Sequence, residues 1–138
     1  MNVDIIKNGI VIDHIASGKA MELYSMLGLD KLECSVAVII NAPSKKTGKK
    51  DIIKIDEAIE LSLDVVGYVA PNATVNFIRD GKIVEKKHID TPKILTNIIK
   101  CKNPRCITTT EQEIQHIFEL MPDGKSYRCI YCDTQVSK

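Results

Sequence analysis

An α+β fold followed by a small separate β module is the architecture this 138-residue chain predicts. Two short helical patterns sit among apolar, β-branched runs over residues 9–87. An Asp80-Gly81 step lies between two alternating runs, a strong short-range hairpin signal. Four cysteines, spaced Cys101-x4-Cys106 and Cys129-x2-Cys132, fall in a C-terminal stretch too short to bury an adequate core unaided.

Gly9–Ile15 is a β-branched run and reads as the first strand. Ser17 is placed to cap a helix whose Ala20, Leu23, Tyr24 and Leu27 form one apolar face. Gly28 is suited to end that helix in the left-handed conformation. Glu33–Asn41 is a second strand, apolar enough for burial on both faces. Residues 42–49, with Pro43 and Gly48, read as a loop, and Lys50–Glu57 as a third strand. Ser62 caps a second helix through Val66 and Val69, which Pro71 stops. Ala73–Ile78 and Lys82–Lys87 flank the Asp80-Gly81 turn. This β-α-β-β-α-β order with one added strand predicts a ferredoxin-like antiparallel sheet carrying both helices on one face. Ile94, Leu95, Ile98 and Ile99 have amphipathic spacing, so residues 89–100 read as a link packed between the domains, with the boundary set at 1–92 and 93–138. Further on, Gln115–Leu120 is a strand, and Pro122-Asp123-Gly124 turns the chain towards Tyr127-Arg128-Cys129.

Two close cysteine pairs separated by 22 residues are the pattern of a tetrahedral zinc site. Each pair forms a knuckle presenting two thiolates, and the intervening chain folds back to join the knuckles. Cys101, Cys106, Cys129 and Cys132 close the coordination shell of one structural Zn2+ per chain, with no open position for a catalytic water. Such a metal contributes about 10–16 kcal/mol of binding free energy that is also folding free energy. The module is therefore predicted to be small, all-β and zinc-ribbon-like. The fifth thiol, Cys34, precedes the apolar run Val36–Ile40 and reads as a buried core residue.

The bulk numbers exclude several functions. Net charge is +1, and residues 101–138 hold five Lys/Arg against five Asp/Glu, so the electrostatic attraction of a nucleic-acid binder is missing. Tryptophan is absent and phenylalanine occurs twice, which leaves no aromatic platform for stacking bases. No catalytic set assembles: His14, His88 and His116 lack a nucleophilic partner and read as hydrogen-bonded structural groups. Pro43–Lys50 lacks the first glycine and the final Ser/Thr of a phosphate-binding P-loop, and its Lys45 and Lys46 fit a solvated loop. There is no N-terminal apolar h-region and no run of 18 apolar residues. With cysteines in metal-type spacing, a cytoplasmic location is expected.

Lys50 and Lys54 are an even number of residues apart on one strand and point to the same face. Lys86 lies on the last strand of the first domain beside Ile83 and Val84. An ammonium group on a mainly apolar sheet needs a partner. A phosphate group would serve, and Asp13 is a second candidate. The residues alone leave a phosphate site and a solvated lysine face equally open.

Four segments in register carry a resemblance over essentially the whole chain: Gly9-x-Val11-Ile12-Asp13-His14-Ile15, Gly48-Lys49-Lys50-Asp51-x-Ile53-Lys54-Ile55, Ala70-Pro71-x-Ala73-Thr74-Val75-Asn76, and the four-cysteine tail. The chain closely resembles the regulatory chains of aspartate carbamoyltransferase. That resemblance implies a non-catalytic subunit of pyrimidine biosynthesis whose N-terminal domain binds CTP and UTP as inhibitors and ATP as activator. It implies a zinc domain that docks on the catalytic chain, self-dimers formed through the N-terminal domain, and three such dimers bridging two catalytic trimers. By the same resemblance Lys50, Lys54 and Lys86 hold triphosphate and ribose, with Asp13 and His14 beside them. Val3, Asp4, Ile5, Ile6, Val11, Ile52, Asn76, Ile78, Ile83 and Val84 would line the nucleotide pocket.

Overall fold

The computed structural model describes residues 5–46 and 48–137. The chain divides into two compact units, residues 1–90 and 91–138.

The first unit is built on β1 (Gly9–Ala16), β2 (Val36–Ser44), β3 (Gly48–Ile55), β4 (Thr74–Arg79) and β5 (Lys82–His88). They pair antiparallel in the order β2-β3-β1-β4-β5, so β1 is central and β2 and β5 are edges. Two helices, α1 (Ala20–Met26) and α2 (Leu63–Val69), pack against each other, and α1 also contacts β2 and β3. Ile10, Ile12, Ile53, Ile55 and Val75 are buried on the helix-covered face with Leu23 of α1 and Val66 of α2. The ferredoxin-like arrangement expected from the element order is present. Gly9 opens β1 because a Cβ there would collide with the carbonyl oxygen of Ile55.

Several local expectations hold. Asp80 and Gly81 have φ of 54° and 76°, the paired left-handed geometry of a two-residue hairpin turn. Gly28 is left-handed at φ 67° after α1 and leads into a 3-10 turn over Leu29–Lys31. Ser62 Oγ accepts from the Val65 N–H at the start of α2.

Others change. The loop expected over 42–49 is largely strand: β2 runs to Ser44 and β3 resumes at Gly48. Pro43 is tolerated because β2 is an edge strand, where a missing N–H is not required on the unpaired side. Ser17 does not cap α1. The N-cap position is Lys19, which makes no side-chain cap, and the Asp51 carboxylate on β3 accepts from the Gly18 and Ala20 N–H groups instead. Cys34, expected in the core, is half-buried ahead of β2, with its thiol pushed up by burial and then by the neighbouring Glu57.

Three register shifts shape the sheet, one on β5, where Ile83 to Glu85 face Ile78 and Phe77, and two on either side of β3. Between Ile12 and Ile15 of β1 three steps face only two on β3 (Ile53 to Asp51), and His14 is left-handed at φ 58°. Between Ile39 and Ala42 of β2 three steps again face two on β3 (Ile52 to Lys50), and Asn41 is left-handed at φ 63°. Each extra residue reverses the in–out alternation beyond it. That is why Ile12 and Ile15, an odd number apart, are both buried.

The second unit is a four-stranded antiparallel sheet, β6 (Ile94–Thr96), β7 (Ile117–Leu120), β8 (Ser126–Cys129) and β9 (Gln135–Ser137), in that order. A single helical turn, α3 (Ile107–Thr110), follows Cys106, a small departure from an all-β module. Leu95, Phe118 and Tyr127 are fully buried, and the Tyr127 hydroxyl donates to the Pro92 carbonyl at 2.7 Å. The amphipathic stretch read as a link places Ile94–Thr96 as an edge strand beside β7, with Leu95 inward and Ile94 exposed.

Candidate anion cavity and metal centre

β3 alternates between faces from Lys50 to Ile55: Asp51, Ile53 and Ile55 are buried, while Lys50, Ile52 and Lys54 are half-buried on the face away from the helices. Cross-strand register lays Lys54, Val11, Asn76 and Lys86 in one row over β3, β1, β4 and β5. With neighbouring strands about 4.8 Å apart, that row spans roughly 14 Å. The Asn76 side chain is buried in its middle, and its Oδ1 has no hydrogen-bond partner.

A cavity of about 920 Å3 opens at one end of this face. Lys50, Lys86 and His14 line it, as do Lys46, Lys49, Thr74 and His88. Lys50 is paired with Asp13 at 3.0 Å, each side chain about four-fifths buried. Asp13 also accepts the His14 N–H at 2.6 Å, which fixes the carboxylate at the bulge. The His14 Nδ1 is buried without a hydrogen-bond partner, 4.0 Å from Asp13 Oδ1. Among the described residues neither Lys54 nor Lys86 has an ion-pair partner. Four ammonium groups therefore surround a cavity whose nearest carboxylate is already engaged, and such a concavity attracts anions.

The expected site residues are not all in this cavity. Lys54 lies with Ile5, Ile6 and Asp56 in a smaller cavity of about 240 Å3. Val11 and Asn76 sit in the row just described, and Ile78 pairs with Ile83 towards the β4–β5 hairpin. Ile52 and Ile78 are half-buried, whereas Ile83 and Val84 are exposed. Val3 and Asp4 lie outside the described residues. Sequence reasoning missed Lys46, Lys49 and His88. His88 was within reach, being two residues from Lys86 on the same strand and so on the same face. Lys46 and Lys49 were hidden by the loop reading of a hairpin.

In the second unit all four cysteine sulfurs lie within 4.8 Å of one another. Cys101 Sγ is 3.6 Å from Cys132 Sγ, and Cys106 Sγ is 3.7 Å from Cys129 Sγ. A tetrahedral ion with sulfur ligands at 2.3 Å requires sulfur–sulfur edges of about 3.8 Å, so the set fits such an ion. The backbone around them is fixed. Cys101 N–H donates to His116 Nδ1 at 3.1 Å, Cys106 N–H to the Asn103 carbonyl and Asp133 N–H to the Cys129 carbonyl. A threonine hydroxyl stands 3.1 Å from one sulfur of each knuckle, Thr108 at Cys106 and Thr134 at Cys132. These contacts pull Cys106 down and Cys132 down to about 6, while burial pushes Cys129 up and Cys101 up to about 12. A bound cation removes that asymmetry by deprotonating all four. The two threonines had a visible signal, the repeated Cys-x-Thr of residues 106–108 and 132–134. His116 had none.

Comparison with known proteins agrees with this two-part geometry. The family model described as the aspartate carbamoyltransferase regulatory chain, allosteric domain, matches residues 1–90, and the model of that chain's metal binding domain matches residues 93–138. The regulatory chain of Clostridium acetobutylicum is 48% identical over 134 residues, covering 96% of this chain and 92% of that one. That of Bifidobacterium longum is 45% identical over 136 residues, covering 98% of each. That of Clostridium tetani is 47% identical over 135 residues, covering 96% of this chain and 94% of the relative. This chain belongs to the family of aspartate carbamoyltransferase regulatory chains, and is a regulatory rather than a catalytic polypeptide.

Proposed function

We propose that this chain is the nucleotide-sensing subunit of a cytoplasmic aspartate carbamoyltransferase in pyrimidine biosynthesis. It binds nucleoside triphosphates, CTP and UTP lowering and ATP raising the activity of the catalytic trimers. The supporting observation is the basic cavity continuous in register with the Lys54–Val11–Asn76–Lys86 row. Lys50, Lys86 and His14 would meet the phosphates. Lys54, Ile5 and Ile6 would take the nucleoside end, and the unpartnered Asn76 Oδ1 would accept from a ribose or base donor.

Zn2+ at Cys101, Cys106, Cys129 and Cys132 holds the second unit in the form that docks on the catalytic chain. The exposed edge of β2, with half-buried Val36 to Ile39 and exposed Ile40, suits pairing with a second copy of the first unit. Three such dimers would then bridge two catalytic trimers.

The test is size-exclusion chromatography of the zinc-loaded chain mixed with its organism's catalytic trimer. Aspartate saturation of the product is then measured with and without CTP, UTP and ATP. One large species whose saturation curve shifts with nucleotide is the expected result. Two folded but separate proteins would refute it.

A further inference from the structure

Asp51 is the only buried charged residue among those described, and it takes no part in the cavity. Its carboxylate is filled by three backbone donors drawn from two directions. Oδ2 accepts from Gly18 N–H at 3.0 Å and Ala20 N–H at 3.2 Å, and Oδ1 from Asn41 N–H at 3.0 Å. The strands on either side of Asp51 both bulge next to it, β1 at Asp13–His14 and β2 at Asn41. Each bulge holds a non-glycine residue at positive φ, a conformation that persists only where surrounding contacts enforce it. A second link joins the same two segments, from Ser17 Oγ to Asn41 Oδ1 at 3.0 Å.

We propose that Asp51 is the positioning residue of the anion cavity, locking the two opposed bulges so that His14 and Lys50, the latter held by Asp13, converge on one bound phosphate chain. The inference rests on the anion-binding reading of that cavity. The route is short. Lys50 is the chain neighbour of Asp51 and projects to the opposite face. His14 and Ser17 line the cavity, and Gly18 and Ala20 continue directly from them. Without the carboxylate three backbone amides, one of them buried, lose their acceptor, and the exposed Ser17–Asn41 hydrogen bond is left to oppose relaxation of the bulges towards regular pairing. A one-residue change of register in β1 turns side chains to the other face. Lys50 would then lose its Asp13 partner and the His14 imidazole would leave the cavity wall, although none of the three was altered.

Calorimetric titration of CTP into the zinc-loaded full chain, at several KCl concentrations well below the melting midpoint, tests this with wild type and Asp51→Asn. Asparagine keeps the volume but replaces one acceptor oxygen with a donor that opposes an N–H. The expected result is CTP binding at least tenfold weaker in a folded variant with full zinc content, and a shallower dependence on salt as ionic contacts are lost. A folded variant with unchanged affinity and salt dependence, whatever its melting temperature, gives Asp51 a structural role only and overturns the proposal. Should the variant not fold, hydrogen exchange of the Gly18, Ala20 and Asn41 amides in the wild type decides. CTP should slow all three, and no change refutes the link. Absence of CTP binding by the wild type would instead bring down the cavity reading, and this inference with it.

Discussion

Lys86 and Lys54 end the same cross-strand row but stand in different surroundings, and the difference makes them separable. Lys86 faces the large basic cavity, and Lys54 the small one with Ile5 and Ile6. Inorganic tripolyphosphate has no nucleoside to occupy the second. Lys86→Ala should therefore weaken both tripolyphosphate and CTP by about 1.5–3 kcal/mol, the range for a hydrogen bond to a charged group. Lys54→Ala should weaken CTP alone. Parallel titrations with both ligands check this, and equal losses for Lys54→Ala would place its ammonium group on the phosphates. The Lys50–Lys54 relation was legible in sequence because an unbroken strand keeps its period of two. The Asp51 carboxylate was not, because its amide partners lie 10, 31 and 33 residues away and are backbone groups that carry no residue-type signature. The bulge at His14 was equally silent, since an extra residue breaks the periodicity on which such a reading depends.

The four cysteines bring together two segments, 101–106 and 129–132, that flank β7 and β8. Among its described residues the second unit buries only Leu95, Thr108, Phe118, Tyr127 and the cysteines Cys101, Cys106 and Cys129 well, so a bound metal would supply much of what holds it together. Cys106→Ser should strip the metal and unfold residues 91–138, abolishing docking on the catalytic chain. Among the described residues the first unit contributes no ligand to the centre, so CTP affinity should stay within about twofold. Zinc analysis, circular dichroism and calorimetry on one sample would show this, and retained docking would contradict it. The elements of the first unit were read largely correctly because their apolar alternation and turn residues agree. The β2–β3 hairpin was cut short for a physical reason: Pro43 normally stops a strand, but not one at the edge of a sheet. The strand at Ile94–Thr96 was hidden because three residues are too few to establish a period.

At the scale of the whole molecule, the proposed nucleotide site and a substrate site on another chain could influence each other only as a coupling free energy, and that coupling is reciprocal. If CTP weakens binding of an aspartate analogue to the assembled enzyme by some factor, the analogue must weaken CTP by the same factor. Couplings of this type are about 1–3 kcal/mol. Two equilibrium titrations, each ligand with and without the other saturating, test it; unequal factors would reveal a further process such as dissociation of the assembly. On the proposed pairing, the β2 edge governs how many copies can meet. Past the Asn41 bulge stands Pro43, which has no N–H to offer any neighbour, so a strand laid alongside finds an uninterrupted ladder only over Val36–Ile40. Five residues suit one short, twofold-related partner, and the far edge of the sheet is β5 with its lysines. If the first units pair through β2 as proposed, the sheet therefore ends after a single doubling, and a subunit that joins trimers in this way is kept from polymerising into fibres.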